Sequence, residues 1–420
     1  MAIARITRRI DEVLAERMTE SPVVALQGPR SVGKSTVLRD VARRHGVGVV
    51  DLDDPAVLRL VVDDPGGFVD SRAPVCIDEY QRAPVVLDAI KARLNRSSDP
   101  GGFVITGSTR FDALPAAAQS LTGRLQLLEI MPFSQGEIDG GREHFLGLAF
   151  VDPDRVRASG ASVTTRVEYI ERITRGGMPM AIGRSTGARQ RWFESYVATA
   201  LQRDVRDLAR IRQAAVLPRL LERLAGQTAQ LLNISRAGEA AGVEARTADN
   251  YARLLEALFL VRRLPAWGRT LRAKAGAVPK VHVVDSGIAA HLLRLSPAKL
   301  ARRDPASLAE FGHLVETFVV GEVLKQASWN DDVATVGHWR TRDGQEVDLV
   351  VERFDGSVVC FEVKASAQVN PSDRSGLVAL RDLLGDQFTA GYVLYTGEHT
   401  ARIDDRIYAA PIDRLWQASL

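Results

Sequence analysis

The segment Gly28-Pro29-Arg30-Ser31-Val32-Gly33-Lys34-Ser35-Thr36 constrains this chain more than any other. It satisfies the pattern G-x-x-x-x-G-K-[ST] at every defined position. An apolar run, Val23–Gln27, precedes it and a helical pattern, TVLRDVARR, follows it. A strand that feeds a glycine-framed turn and then a helix curls backbone N–H groups around an anion and aims the helix's positive end at the same point. Gly28 and Gly33 supply the backbone freedom the turn needs. Residues 28–36 therefore read as a phosphate loop for ATP, with Lys34 reaching the β and γ phosphates and the Ser35 hydroxyl on Mg²⁺. Of 55 Lys+Arg residues only seven are lysine, so a lysine inside a motif carries information.

Around this loop, strands at Val23–Gln27, Gly48–Leu52, Val75–Ile77, Gly102–Thr106 and Leu125–Ile130 alternate with helical stretches. That order argues for an α/β fold: a P-loop NTPase parallel sheet with helices on both faces. The run Pro-Val-Cys-Ile-Asp78-Glu79 reads as a buried strand ending in acids. Asp78 would hold Mg²⁺ through water, and Glu79 would orient and deprotonate the attacking water. A strand followed by an acidic helix cap explains the same residues. Thr106, followed by Gly107 and Ser108, is placed to touch the γ phosphate and the water, or else to cap the next helix. Arg124, after Ser120-Leu-Thr-Gly123, reads as an arginine finger, in cis or from a neighbouring subunit, or as a surface arginine.

The order GPRSVGKST, CIDEYQRAP, VITGSTRF, SLTGRLQLLEIMPFS resembles the prokaryotic AAA+-type ATP-binding proteins. The stretches VPKVHVVDSGIAAHLL and FGHLVETFVVGEVLK are similar to the C-terminal region of the same family, so the resemblance covers nearly the whole chain. It implies an ATPase domain followed by a region containing a winged helix and a restriction-endonuclease-like fold. The corresponding boundaries are 1–135 for the ATPase, 136–190 for a connecting or lid segment, 191–305 for a basic winged-helix region and 306–420 for an α/β nuclease-like domain.

Charge is unevenly placed. Residues 181–303 hold 22 Lys+Arg against 9 Asp+Glu, which leaves 33 against 43 elsewhere. A basic segment in a near-neutral protein suggests a polyanion, although helices paired with the acidic flanks would look the same. Residues 216–264 read as a winged helix-turn-helix: a helix at Val216–Ala229, a second capped by Ser235, a turn at Gly242–Glu244, a third capped by Thr247, then a wing from Phe259–Leu264 and Arg269–Lys274. Arg246, Asn250 and Arg253 fall at or near the start of the third helix, where such a module meets the major groove of DNA. A protein–protein role for the same module is the alternative.

In the C-terminal region, Glu316 lies in a helical stretch, Asp348 in a strand, and Glu362 and Lys364 two apart in the next strand, hence on one face. Two carboxylates, Asp348 and Glu362, would hold Mg²⁺ while Lys364 positions the water. This resembles the acid–E-x-K motif of metal-dependent nucleases; cross-strand Lys–Glu pairs on a solvent face are the plain alternative. Cys76 and Cys360 read as buried thiols, Trp329 and Trp339 as packing the C-terminal core, and Asp285-Ser-Gly287 as a strand end and turn without chemistry. No apolar run approaches the roughly 20 residues that span a bilayer, and the first residues read as an amphipathic helix rather than a signal peptide, so a cytoplasmic location without membrane partners is expected. The expectation is an ATP-hydrolysing, Mg²⁺-dependent switch coupled to DNA binding and nucleic-acid cleavage, in a homo-oligomer if the finger acts in trans. The alternative is an ATP-gated module that binds a protein partner and carries an inert nuclease-like fold. A toxin–antitoxin or defence role fits either.

Overall fold

Three sheets organise the chain. The computed structural model describes residues 6–111, 121–158, 160–204, 215–268 and 277–417. The first sheet contains β1 (Val23–Gln27), β2 (Val49–Asp51), β3 (Val75–Asp78), β4 (Phe103–Gly107) and β5 (Leu125–Glu129), all parallel, in the order β2-β3-β4-β1-β5. Its strands read as continuous apolar runs because helices cover both faces. The side-chain alternation of β1 assigns the layers. Val23 and Ala25 join one core cluster with Ile77, Ile105 and Leu87 of α3 (Val85–Leu94). Val24 and Leu26 join the other with Cys76, Val104, Leu14 of α1 (Ile10–Glu20) and Leu38 of α2 (Lys34–His45). Burial pushes the Cys76 thiol up to about 11 and the Cys360 thiol upward as well, as fits two buried thiols.

Beyond the first sheet the chain turns helical. Helices α4 (Val216–Ala225), α5 (Ile234–Ala241) and α6 (Ala245–Ala257) pack beside a three-stranded sheet, β6-β8-β7, made of β6 (Gln230–Leu231), β7 (Val261–Leu264) and β8 (Lys280–Val283). Three local expectations need correction. The first helix stops at Ala225 instead of Ala229, which turns into a positive φ of 62° before pairing begins. Asn233, not Ser235, caps α5, its side chain accepting from the Arg236 N–H at 2.9 Å. Thr247 lies inside the first turn of α6, whose start carries no side-chain cap bond. The wing segment Arg269–Lys274 lies outside the described residues.

The third sheet has six strands, in the order β13-β14-β12-β11-β10-β9: β9 (Val333–Arg340), β10 (Glu346–Arg353), β11 (Val358–Lys364), β12 (Phe388–Tyr395), β13 (Ala401–Asp404) and β14 (Ile407–Pro411). Four were expected. The long helix Pro305–Ser328, α8, packs on it, and Ser286–Leu292, α7, joins it to β8. One hydrophobic core runs through all of this: Leu220 of α4, Leu255 of α6, Phe318 of α8 and Tyr392 of β12 belong to a single cluster. Residues 136–190, read from the sequence as a connecting or lid segment, put Phe145, Tyr169 and Met178 into that same core. Trp339 packs the C-terminal sheet as expected, whereas Trp329 sits against the α1–α2 cluster of the first sheet. No helix among the described residues is long and apolar enough to cross a membrane.

Candidate functional site

The C-terminal edge of the first sheet gathers the sequence-predicted groups. Strand β4 lies between β1 and β3, with Leu26 beside Thr106, Gln27 beside Gly107 and Ile77 beside Ile105. The phosphate loop at the end of β1, Thr106 at the end of β4 and Asp78-Glu79 at the end of β3 therefore stand on one rim. Gly28 has a φ of 153°, and a Cβ there would lie 2.2 Å from the Ile130 carbonyl oxygen, so the loop leaves β1 pressed against the exit of β5. Ser31 and Gly33 take positive φ values of 60° and 105°, the latter as the residue before α2. Pro29 and Val32 are buried, while Arg30, Ser35 and Thr36 retain access to solvent. The Lys34 ammonium is folded back on the loop and donates to the carbonyls of Gly28 at 2.9 Å and Pro29 at 2.8 Å. Those carbonyls hold the ammonium where an incoming phosphate can exchange for them.

Arg8, which no motif announced, braces this loop from below. Its guanidinium donates to the Val32 carbonyl at 3.1 Å and the Met131 carbonyl at 2.6 Å, and pairs with Glu137 at 3.2 Å. Thr106 donates a short hydrogen bond to Asp78 and accepts from the Glu79 N–H at 3.3 Å. Glu79 itself has a φ of 56°, a left-handed conformation that lifts its side chain off the strand. Its carboxylate accepts from the Gln81 amide and from the Ser108 hydroxyl at 3.2 Å. Gln81 went unnoticed in the sequence because its role appears only when β3 and β4 are side by side.

Arg124 is not brought to this rim. It precedes β5, whose Leu125 is level with Val23, and bonds Asn95 Oδ1 at 2.7 Å. The strand length alone puts it about 16 Å from the loop of its own chain. That placement argues against a finger in cis and leaves the surface arginine beside the finger from a neighbouring subunit.

A second constellation forms in the C-terminal half. Asp348 on β10, Glu362 and Lys364 on β11 and Glu316 on α8 line one cavity of about 640 Å³, together with Glu346, Arg340, His313 and Lys280. Lys280, from β8, is the residue the sequence reading missed. Its ammonium lies 2.7 Å from Glu316, 2.6 Å from Glu346 and 2.9 Å from Asp348, and the residue is 2% exposed. Burial works against this charge, but Asp348, Glu316 and Glu346 outweigh it and hold the ammonium's pKa above its ordinary value. Burial, reinforced by Asp348, drives the Glu316 carboxyl well up and the Glu362 carboxyl up to about 8. Lys364 pairs with Glu362 at 2.8 Å. The other Asp348 oxygen accepts from the Val363 N–H at 2.9 Å. Among the described residues no group of His, Cys, Asp and Glu is arranged to hold a metal ion.

On the middle unit, Arg246, Asn250 and Arg253 are all exposed and follow one stripe of α6. Arg253 is paired with Asp249 at 2.7 Å, and Asp249 also holds Arg263 at 2.8 Å, so the stripe mixes both signs. Asp285, read as a plain turn residue, is a buried brace: it caps α7 through the Ile288 N–H at 3.0 Å and accepts from the Gly177 N–H at 2.7 Å.

The sheet, its loop and its acidic rim define a P-loop protein of the AAA+ type. Residues 20–139 match a family model described as an AAA domain, residues 166–299 a domain of unknown function (DUF8612) and residues 311–415 a domain of unknown function (DUF4143). These matches support an AAA+-type ATPase domain followed by a C-terminal domain of unknown function (DUF4143). The chain is 28% identical over 422 residues to Uncharacterized protein Rv2008c of Mycobacterium tuberculosis and to Uncharacterized protein Mb2031c of Mycobacterium bovis, covering 97% of this chain and 86% of each relative. A solved structure, the Walker-type ATPase PabY2304 of Pyrococcus abyssi, is similar with a TM-score of 0.45 and 12% identity, over 69% of this chain and 96% of that one.

Proposed function

We propose that the protein is an ATP-hydrolysing switch. The observation that carries this reading is the shared rim, where the phosphate loop, Thr106, Asp78 and Glu79 stand at the ends of β1, β4 and β3. Residues 28–36 bind the triphosphate, and Lys34 moves from the Gly28 and Pro29 carbonyls to the β and γ phosphates. The Ser35 hydroxyl and Asp78 are the residues that would hold Mg²⁺, which neutralises phosphate charge when bound. Glu79 is the general base for water once Gln81 and Ser108 release its carboxylate, and Thr106 reports between that water and Asp78. Arg124 of a neighbouring copy would complete the site in an oligomer. A fluorescent-nucleotide titration with a turnover assay tests the scheme: Lys34→Ala should lose saturable binding, and Glu79→Gln should keep binding but lose turnover by about 100-fold or more. Full turnover in Glu79→Gln removes Glu79 from the role.

The output partner that fits the basic middle is DNA, met by Arg246, Asn250 and Arg253. A gel shift in a salt titration tests it, because phosphate contacts must weaken with salt. For the C-terminal half a second reading stands beside cleavage: an inert nuclease-like fold that serves as a gated protein-binding surface. The observation favouring it is the Lys280 ammonium among the carboxylates expected to take Mg²⁺.

A further inference from the structure

We propose that Lys280 is the resident cation of the C-terminal pocket: its ammonium stands where a divalent ion would stand, and the pocket takes no metal while it is there. A metal would need carboxylate oxygens from Asp348 and its neighbours converging on one point at about 2.1–2.6 Å. Asp348 has both oxygens engaged, while Glu362 keeps one buried oxygen, Oε2, without a hydrogen-bond partner among the described residues. Asp348 gives Oδ1 to Lys280 and Oδ2 to the Val363 N–H. Glu316 and Glu346 face the same ammonium at 2.7 and 2.6 Å. Glu362 is turned to a different lysine, Lys364, at 2.8 Å. The ammonium occupies the point on which Glu316, Glu346 and Asp348 converge, so a metal ion bound by those three would have to displace it.

The ammonium arrives from outside the carboxylates' own elements. It stands at the first residue of β8, whose pairing with Leu264 of β7 and Leu231 of β6 fixes the backbone. Glu316 is 36 residues away and Asp348 is 68. The side chain is nearly fully buried, in a chain where lysine is scarce. Burying an ammonium is costly unless it is paired and hydrogen-bonded, so a lysine in this place is held by its carboxylates as firmly as they are held by it. The inference does not depend on the ATP-switch reading.

Mn²⁺ titration of the full-length, nucleotide-free chain, followed by electron paramagnetic resonance, tests it. The wild-type chain should show no saturable site that depends on Asp348. Lys280→Met should create one, with an affinity gain of about tenfold or more, and its melting temperature should rise with Mn²⁺. Both gains should vanish in Lys280→Met/Asp348→Asn. A folded Lys280→Met chain that takes up no Mn²⁺ overturns the proposal. So does a wild-type chain that binds Mn²⁺ and loses it in Asp348→Asn, a measurement that decides even if Lys280→Met fails to fold.

Discussion

Gly28 is held by two constraints that act together. Its φ of 153° disfavours any side chain, and an added Cβ would meet the Ile130 carbonyl at 2.2 Å. Ile130 cannot step back, because its N–H is bonded to the Gln27 carbonyl at 2.7 Å. Gly28→Ala should therefore cost about 1–3 kcal/mol in urea denaturation and distort the loop's first carbonyl, one of the two that hold Lys34. Glu362 offers a prediction in pH. Burial and Asp348 push its carboxyl from 4.5 to about 8, so between those values the folded chain keeps a proton that the unfolded chain has released. Stability must then fall as pH rises through that window. His282 acts in the opposite sense: burial, aided by Lys280, pushes it down to about 3, and the stability it contributes is present above its ordinary 6.5 and lost as pH falls. From pH 6.5 to 8 the decline therefore belongs to the carboxyls. Glu362→Gln should flatten it in denaturation curves at pH 6.5, 7.2 and 8, leaving the slope due to Glu316, which is raised in the same direction.

Asp285 shows what an element can demand of one side chain. Each of its oxygens has a job: one caps α7 and the other takes the N–H of Gly177. Gly176 and Gly177 are wedged beside it, since a Cβ on Gly176 would lie 2.3 Å from Asp285 Oδ1 and one on Gly177 would lie 2.1 Å from the Phe133 carbonyl. Asp285→Ala removes the cap and strands a buried donor, for a cost of about 2–4 kcal/mol read as a fall in melting temperature. Asp285→Asn keeps the cap but faces an N–H with an N–H, and should fall between. Nothing in Asp285-Ser-Gly287 announced this, because its partner lies 108 residues away. The legible elements were those with local causes. The apolar run Val23–Gln27 became β1 at both ends, and the loop after it followed from two glycines and a lysine. Strands β13 and β14 were missed because Ala401–Asp404 is only four residues long and Ile407–Pro411 is a short apolar run that ends in proline. Lys280 was hidden for a third reason: strand β8 looks apolar, and only tertiary pairing shows that its lysine enters a carboxylate pocket. Lysine scarcity, the argument that singled out Lys34, applied to Lys280 with equal force.

At the scale of the molecule, one route from the phosphate loop to the C-terminal pocket runs through Ile130, Glu129 and Arg262. Gly28 rests on Ile130, and the preceding residue, Glu129, forms an ion pair with Arg262 of β7. Strand β7 pairs with β8 from Val261–Val283 to Leu264–Lys280. Arg110, just past β4, adds a second tie through its N–H to the Ala257 carbonyl at 3.0 Å. Both partners of the ion pair are about four-fifths shielded from water, so the contact is worth more than a surface pair. Contiguity alone does not establish coupling, which requires that a ligand at one end change the free energy of the other. Hydrogen exchange supplies that measurement, because it reads local opening in both places at once. A non-hydrolysable ATP analogue should slow exchange in the phosphate loop and, through Glu129 and Arg262, in β7 and β8. In Arg262→Ala and in Glu129→Ala the loop should still be protected while the added protection at β7 and β8 is lost. The double variant should resemble either single one, since both remove the same contact. Equal added protection of β7 and β8 in all four proteins would show that the ion pair is a static strut, whereas no added protection there in the wild type would show that nucleotide binding stops at the first sheet.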